Sequence, residues 1–216
     1  MIISLANPKG GVGKSTLAVN LAVEAIKDGW EDIAILELDL QRTAYLWAKL
    51  RDQRGVKPPV QIELVDSIET IEGGCAAYAA DKQSLLIVDC AGADTDFNRA
   101  AVAFSDMVII PTRPSQIEVF ALTRALGLIQ DLGKVPYILN ACAFPAAKST
   151  INDLAEYIGT LGGCKLMSSV IRYRAAYQHS FAAGKSVTEY ARDQLASLEI
   201  AELAKEINQF LKEVTS

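Results

Sequence analysis

The sequence has little of what would place a protein in a membrane, outside the cell or around a metal cluster. No apolar run approaches the ~18 residues needed to cross a bilayer, and the N-terminus enters a short strand and a glycine-rich loop instead of a basic, then apolar, leader. The chain is therefore expected in the cytoplasm. Its four cysteines, Cys75, Cys90, Cys142 and Cys164, lie far apart without a C-x-x-C pair, which excludes a disulfide framework and reads as reduced, small core fillers. The single histidine, His179, has no ligand set or acid/base partner near it in sequence and reads as a surface residue. Repeats and low-complexity tracts are absent. A net charge of −5 excludes a surface that is basic everywhere, so any contact with nucleic acid requires a local patch.

What is present is a chain of 216 residues, 50% of them hydrophobic, enough for one domain over 1–216 that buries its own core. Short apolar runs begin at Ile2 and recur at Ala34–Glu37, Gln61–Val65, Leu85–Val88, Met107–Ile110, Val135–Leu139 and, less regularly, Cys164–Ile171. Between them lie helix-length stretches such as Thr43–Arg54, Gln116–Leu132 and Ser149–Leu161. The alternation predicts an α/β fold, a doubly wound, mostly parallel sheet with helices on both faces, whose ligands bind at the carboxyl ends of the strands.

After the first run comes Pro8-Lys9-Gly10-Gly11-Val12-Gly13-Lys14-Ser15-Thr16. Gly10, Gly11 and Gly13 can take dihedrals closed to other residues and present successive N–H groups to phosphate oxygens, and a helix starting near Lys14 adds its positive end. In such a loop Lys14 reaches the β- and γ-phosphates, and the Ser15 hydroxyl completes the shell of a magnesium ion that otherwise keeps water and phosphate oxygens. Leu17, Ala18, Leu21, Ala22 and Ala25 then fall at helical spacing. The run Leu85–Val88 ends in Asp89, followed by Cys90-Ala91-Gly92, the pattern of a strand whose aspartate holds magnesium and whose glycine frees a γ-phosphate-sensing loop. Glu37 and Asp39, two apart, face one side of a strand that extends that far. Asp94 and Asp96 read as charges at a helix N-terminus.

The string from Lys9 to Thr16 resembles the deviant Walker A box of the ParA/MinD family of positioning ATPases, and the likeness extends over nearly the whole chain. This resemblance implies ATP and Mg2+ as ligands, bound over Gly10 to Thr16. It implies that Lys9 reaches the partner subunit's nucleotide in an ATP-dependent homodimer, so that Lys9, Lys14 and magnesium neutralise the transferring phosphoryl. It also implies that Asp39 orients the attacking water. The family's Asp-x-Asp-Pro-Gln segment is altered twice, to Glu37 and Leu40, so a magnesium-network role for Glu37 and a proline-stiffened loop are both in question. The loops holding Pro114 and Asn140 would flank the adenine.

Two outputs divide the family. The block Val170–Tyr177, then Gly184-Lys185-Ser186-Val187 and Glu189, resembles a segment of the ParA branch, which binds DNA without sequence preference. Arg172, Arg174 and Lys185 are the corresponding phosphate-binding candidates, set against the alternative of solvated charges. The tail from Leu198 has Ile200, Leu203, Ala204, Ile207 and Leu211 at helical spacing and lacks a basic face, so it is expected to pack on the domain and not on a membrane as in the MinD branch. With a strand at residue 2, no N-terminal operator-reading domain is expected. The resemblance thus implies a nucleoid-associated ATPase that drives plasmid or chromosome partition with a ParB-type adaptor. The alternatives are a positioning ATPase for a protein cargo, a membrane-recruited MinD-like regulator, and a nitrogenase-reductase-like enzyme, the last lacking the paired cysteines it needs.

Overall fold

A computed structural model describes residues 1–113, 116–143 and 148–214. In chain order the elements are β1 (Ile2–Leu5), α1 (Lys14–Lys27), β2 (Asp32–Glu37), α2 (Thr43–Gln53), β3 (Gln61–Leu64), α3 (Ile68–Ala79), β4 (Ser84–Asp89), α4 (Asp96–Phe104), β5 (Met107–Thr112), α5 (Gln116–Asp131), β6 (Pro136–Ala143), α6 (Lys148–Thr160), β7 (Lys165–Arg172), α7 (Ala175–Ala182), α8 (Val187–Tyr190) and α9 (Gln194–Val214). The strands form one sheet in the order β3-β2-β4-β1-β5-β6-β7, and every neighbouring pair is parallel.

The near-continuous apolar character of β1, β4 and β5 follows from burial on both faces, as parallel sheets require. Alternate residues feed two separate cores. Ile3, Leu5, Ile35, Ile87 and Ile109 face α1, α2, α7 and α9 on one side. Ile2, Ala34, Leu36, Val88 and Ile110 face α3, α4, α5 and α6 on the other. The expected face of α1 is buried, but so are Val19 and Val23 between its positions. Even the polar Asn20 and Glu24 are buried, so α1 lies inside the domain. In α9, Ile200, Leu203, Ala204, Ile207 and Leu211 are all buried, which is the packing expected of the tail. The irregular pattern near residue 164 has a structural source, since the β6–β7 pairing shifts register between Ile138 and Asn140 and again between Ala141 and Ala143.

Local signals set the helix boundaries. Gly13 precedes α1 in a left-handed conformation, φ 96°, which a side chain would resist. Ser67 and Thr95 cap α3 and α4 by accepting from the N–H groups of Thr70 and Asn98. Ser186 and Glu189 form a capping box on α8. The glycine pair Gly73-Gly74 inside α3 hides that helix from a reading by periodicity.

Candidate nucleotide-binding site

The glycine-rich loop leaves the central strand β1 and is held from the two strands that flank it. Asn7, buried at the strand end, donates through Nδ2 to the carbonyl of Pro111 in β5 at 2.8 Å and accepts the N–H of Lys9 on Oδ1 at 2.8 Å. On the β4 side Gly92 packs on the loop crest: a Cβ built there would stand 3.0 Å from the Gly10 Cα and 3.2 Å from its nitrogen. The fully buried Val12 side chain anchors the loop while Gly10 and Gly11 stay exposed. Lys14 opens α1 and folds back into its own loop, its Nζ donating to the carbonyls of Asn7 at 3.0 Å and Lys9 at 3.1 Å. Burial lowers the Lys14 pKa, and the nearby carboxylates of Asp89 and Asp39 partly restore it. These are polar contacts a buried ammonium can exchange for phosphate oxygens.

Asp89 closes β4 with 0% exposure, and neither carboxylate oxygen has a hydrogen-bond partner at normal geometry among the described residues. Burial pushes its pKa up to about 7; the Ser15 hydroxyl, close enough to act on it but short of a formed hydrogen bond, and Lys14 pull it back only in part against the charges of Glu37 and Asp39. A buried, unsatisfied carboxylate is costly unless something completes it. Asp89 beside the Ser15 hydroxyl fits a magnesium ion whose other ligands are water and phosphate, since no group of three metal-ligating side chains exists among the described residues.

Glu37 stands beside Asp89 across the β2–β4 pairing and its charge acts on Asp89, but its carboxylate is committed to backbone donors. Its carboxylate accepts from the N–H groups of Ala44 and Tyr45, both at 2.9 Å, so it fills the exposed donors at the start of α2. Arg42, the residue at the cap position, is left-handed and makes no side-chain cap. Burial raises the Glu37 pKa and these backbone donors counter it. Asp39 accepts from the N–H of Gln41 at 2.9 Å on its side chain and from that of Arg42 at 3.0 Å on its carbonyl. This turn supplies the stiffness that Leu40, 89% exposed, cannot. Asp39 acts electrostatically on both Lys14 and Asp89 and so belongs to the same site.

A phosphate-binding loop on the central strand, a basic residue folded into it and an orphaned carboxylate on the adjacent strand form one constellation, and it matches a family model. The CobQ/CobB/MinD/ParA nucleotide-binding domain model covers residues 3–187. The chain belongs to this family. It is 24% identical over 217 residues to the maintenance of carboxysome distribution protein A of Halothiobacillus neapolitanus, covering 98% of this chain and 95% of that protein. It is 30% identical over 162 residues to the chromosome-partitioning ATPase Soj of Thermus thermophilus, covering 64% of each. Among solved structures, the MinD cell division protein of Aquifex aeolicus superposes with a TM-score of 0.74 at 17% identity over 96% of both chains. The family is one of ATPases, and the seven-stranded parallel sheet is its fold.

Within this family framework the remaining candidates divide. Asp94 pairs with Arg99 at 2.9 Å and Asp96 opens α4, the helix-terminus role expected of both. The loop after β4 is shaped by Asn98, which sequence reasoning missed. Its amide accepts from the Ala91 N–H and donates to the Ala91 and Ala93 carbonyls. Asn140 sits in β6 opposite Thr112 of β5, at the ligand edge of the sheet. Pro114 lies outside the described residues. Cys75 and Cys90 are buried as core fillers should be, Cys164 is only partly buried against the same core, the Cys142 side chain lies outside the described residues, and His179 is on the surface.

Two of the basic candidates, Arg172 and Arg174, are held in ion pairs. Glu199 of α9 accepts from Arg172 at 2.9 Å and from Arg174 at 2.7 Å on one oxygen, and the Arg172 N–H at 3.1 Å on the other. Asp193 stands 3.8 Å from Arg174. Arg172 remains half exposed, Arg174 less so. Lys185 is not gathered with them into one ion-pair cluster. Its carbonyl accepts from the Trp47 indole at 3.2 Å, within a second cluster where buried Arg51 makes a two-pronged pair with Glu189, 2.7 Å on each arm. Arg51 also donates to the Pro58 and Gly184 carbonyls. The Gly184–Glu189 part of the block is therefore a structural clasp on α2. Only its polar Ser-x-x-Glu spacing, a capping-box signature, gave a hint of this in the sequence.

Proposed function

We propose that this chain is a Mg2+-dependent ATP hydrolase that forms an ATP-dependent homodimer and uses the cycle to position a cargo. The observation carrying this reading is the unpartnered Asp89 carboxylate facing a phosphate loop in which Lys14 is already buried. Lys14 would exchange the Asn7 and Lys9 carbonyls for phosphate oxygens, and the loop N–H groups from Gly10 to Thr16 would cradle the same phosphates. Asp89 and Ser15 would hold magnesium, which when bound neutralises the charge on the transferring phosphoryl. Asp39, fixed by its own turn, would orient the attacking water, and Lys9 would act across the dimer. Pro114 and Asn140 would border the adenine.

For the output, Arg172, Arg174 and Lys185 of two subunits would meet DNA phosphates without sequence preference, making the protein nucleoid-associated in its ATP form. A ParB-type or other adaptor would link it to the cargo. Plasmid or chromosome partition is one cargo. A protein assembly is equally supported, because the relative matched over 98% of this chain is named for carboxysome distribution. Burial of the apolar face of α9 argues against a MinD-like membrane anchor on that helix.

The decisive experiment is binding to random-sequence duplex DNA with ATP and with ADP, using Asp39→Ala to hold the ATP state and running anionic liposomes in parallel. Salt-sensitive binding with ATP alone is expected. DNA binding absent from a verified ATP dimer would remove this output, and liposome binding in its place would transfer the protein to the membrane-recruited class. Undiminished dimerisation of Lys9→Ala would overturn the cross-subunit role of Lys9.

A further inference from the structure

Arg113 follows β5 directly and stands over the phosphate loop from the side opposite Gly92. Its Nη2 donates to the Gly11 carbonyl, and a Cβ built on Gly11 would lie 3.7 Å from that same nitrogen. Its Nε is buried and has no partner among the described residues. No carboxylate among those residues pairs with it, unlike Arg51, Arg99, Arg172 and Arg174, each of which has one. A guanidinium is always charged and presents five donors in a rigid fork matched to carboxylate or phosphate. Holding such a group against a neutral glycine carbonyl, with Nε buried and unmet, leaves most of its bonding capacity unused by the described residues. The crest it touches is Gly10-Gly11, the part of the loop that also meets Gly92, the glycine expected from the sequence to free the γ-phosphate-sensing loop.

We propose that Arg113 is a triphosphate-selecting residue: with nucleoside triphosphate in the site, its guanidinium leaves the Gly11 carbonyl and donates to the terminal phosphate. This rests on the ATPase reading above. It adds a third cation to Lys9 and Lys14, delivered by β5 instead of the loop, and it makes the position after Thr112 part of nucleotide discrimination. Diphosphate, lacking the terminal group, would leave Arg113 on Gly11.

The test is nucleotide affinity by titration calorimetry for wild type, Arg113→Ala, Arg113→Lys and Lys14→Ala, with ADP and a non-hydrolysable ATP analogue, each variant first checked for an unchanged thermal midpoint. Loss of a charge-assisted fork should weaken analogue binding by about tenfold or more and leave ADP within about twofold of wild type, the selectivity being what carries the inference. Arg113→Lys should fall between, because it keeps the charge and loses the fork. Equal weakening for both nucleotides, no change, or tighter binding by Arg113→Ala would each overturn the proposal, the last by showing a latch that merely blocks the loop. If wild type binds neither nucleotide, the ATPase reading itself fails. If wild type binds, Lys14→Ala does not and Arg113→Ala is unchanged, only the role of Arg113 is lost.

Discussion

Replacing Glu189 by glutamine tests whether the clasp on α2 stabilises the fold. The change keeps the shape and one acceptor but removes the charge facing Arg51, whose side chain is 1% exposed and which would still donate to the Gly184 and Pro58 carbonyls. Removing one partner of a buried ion pair costs roughly 3–5 kcal/mol. The 16% exposure of the Glu189 side chain and the retained acceptor place this case lower, at about 2–3 kcal/mol. For a domain of this size that is a fall of roughly 4–12 °C in the thermal midpoint. Melting followed by circular dichroism measures it. The pH dependence adds an independent check. Burial raises the Glu189 pKa, but the hydrogen bonds from Arg51 and the Ser186 N–H, with the Arg51 charge, overcome that and leave it below the ordinary value. An acid depressed in the folded state contributes stability that is present above its unfolded pKa and lost as pH falls through the folded one. The gap between wild type and Glu189→Gln should therefore be full at pH 7 and narrow as the solution is taken below about 4.5. A midpoint change under about 2 °C at pH 7 would show that the pair merely breaks even and refute the assignment.

Other substitutions separate stability from function. Gly92→Ala puts a methyl 3.0 Å from the Gly10 Cα, where backbone must give way, so nucleotide affinity in a titration should drop about tenfold or more while the fold survives. Asp89→Asn removes a buried carboxylate that nothing completes; in nucleotide-free protein at pH 8 the thermal midpoint should rise by roughly 3–6 °C while phosphate release assays show hydrolysis abolished. Glu199→Gln weakens the hold on Arg172 and Arg174, and ATP-dependent DNA binding in a filter or anisotropy assay should tighten several-fold with a steeper salt slope; weaker binding would mean that Glu199 orients the arginines for use.

The sheet was legible because each strand is a short apolar run bounded by polar residues, and parallel strands buried on both faces must look that way. The phosphate loop was legible because its glycines, lysine and serine act through backbone and spacing that sequence displays directly. What was not legible depended on contacts distant in sequence. The sequence leaves the role of Glu37 open, because what decides it is the approach of α2, which puts the N–H groups of Ala44 and Tyr45 on its carboxylate. Arg172 and Arg174 look like a basic patch until α9 brings Glu199 across from 27 and 25 residues away. Asn7, Asn98 and Arg113 are single polar residues at strand ends or helix starts. No periodicity marks which of these turns toward the loop.

Helix α2 is bolted at both ends. Its first turn hangs on Glu37, two residues before Asp39, and its last turn carries Arg51, gripped by Gly184 and Glu189. Gly184 takes φ +67° and comes so near that a Cβ there would lie 2.5 Å from the Arg51 nitrogen, so this end has no slack. An 11-residue helix is a rod of about 16 Å. A piece so fastened cannot absorb displacement by rotating on a loose end. The turn holding Asp39 and the loop between α7 and α8 are thus tied to opposite ends of one short rod.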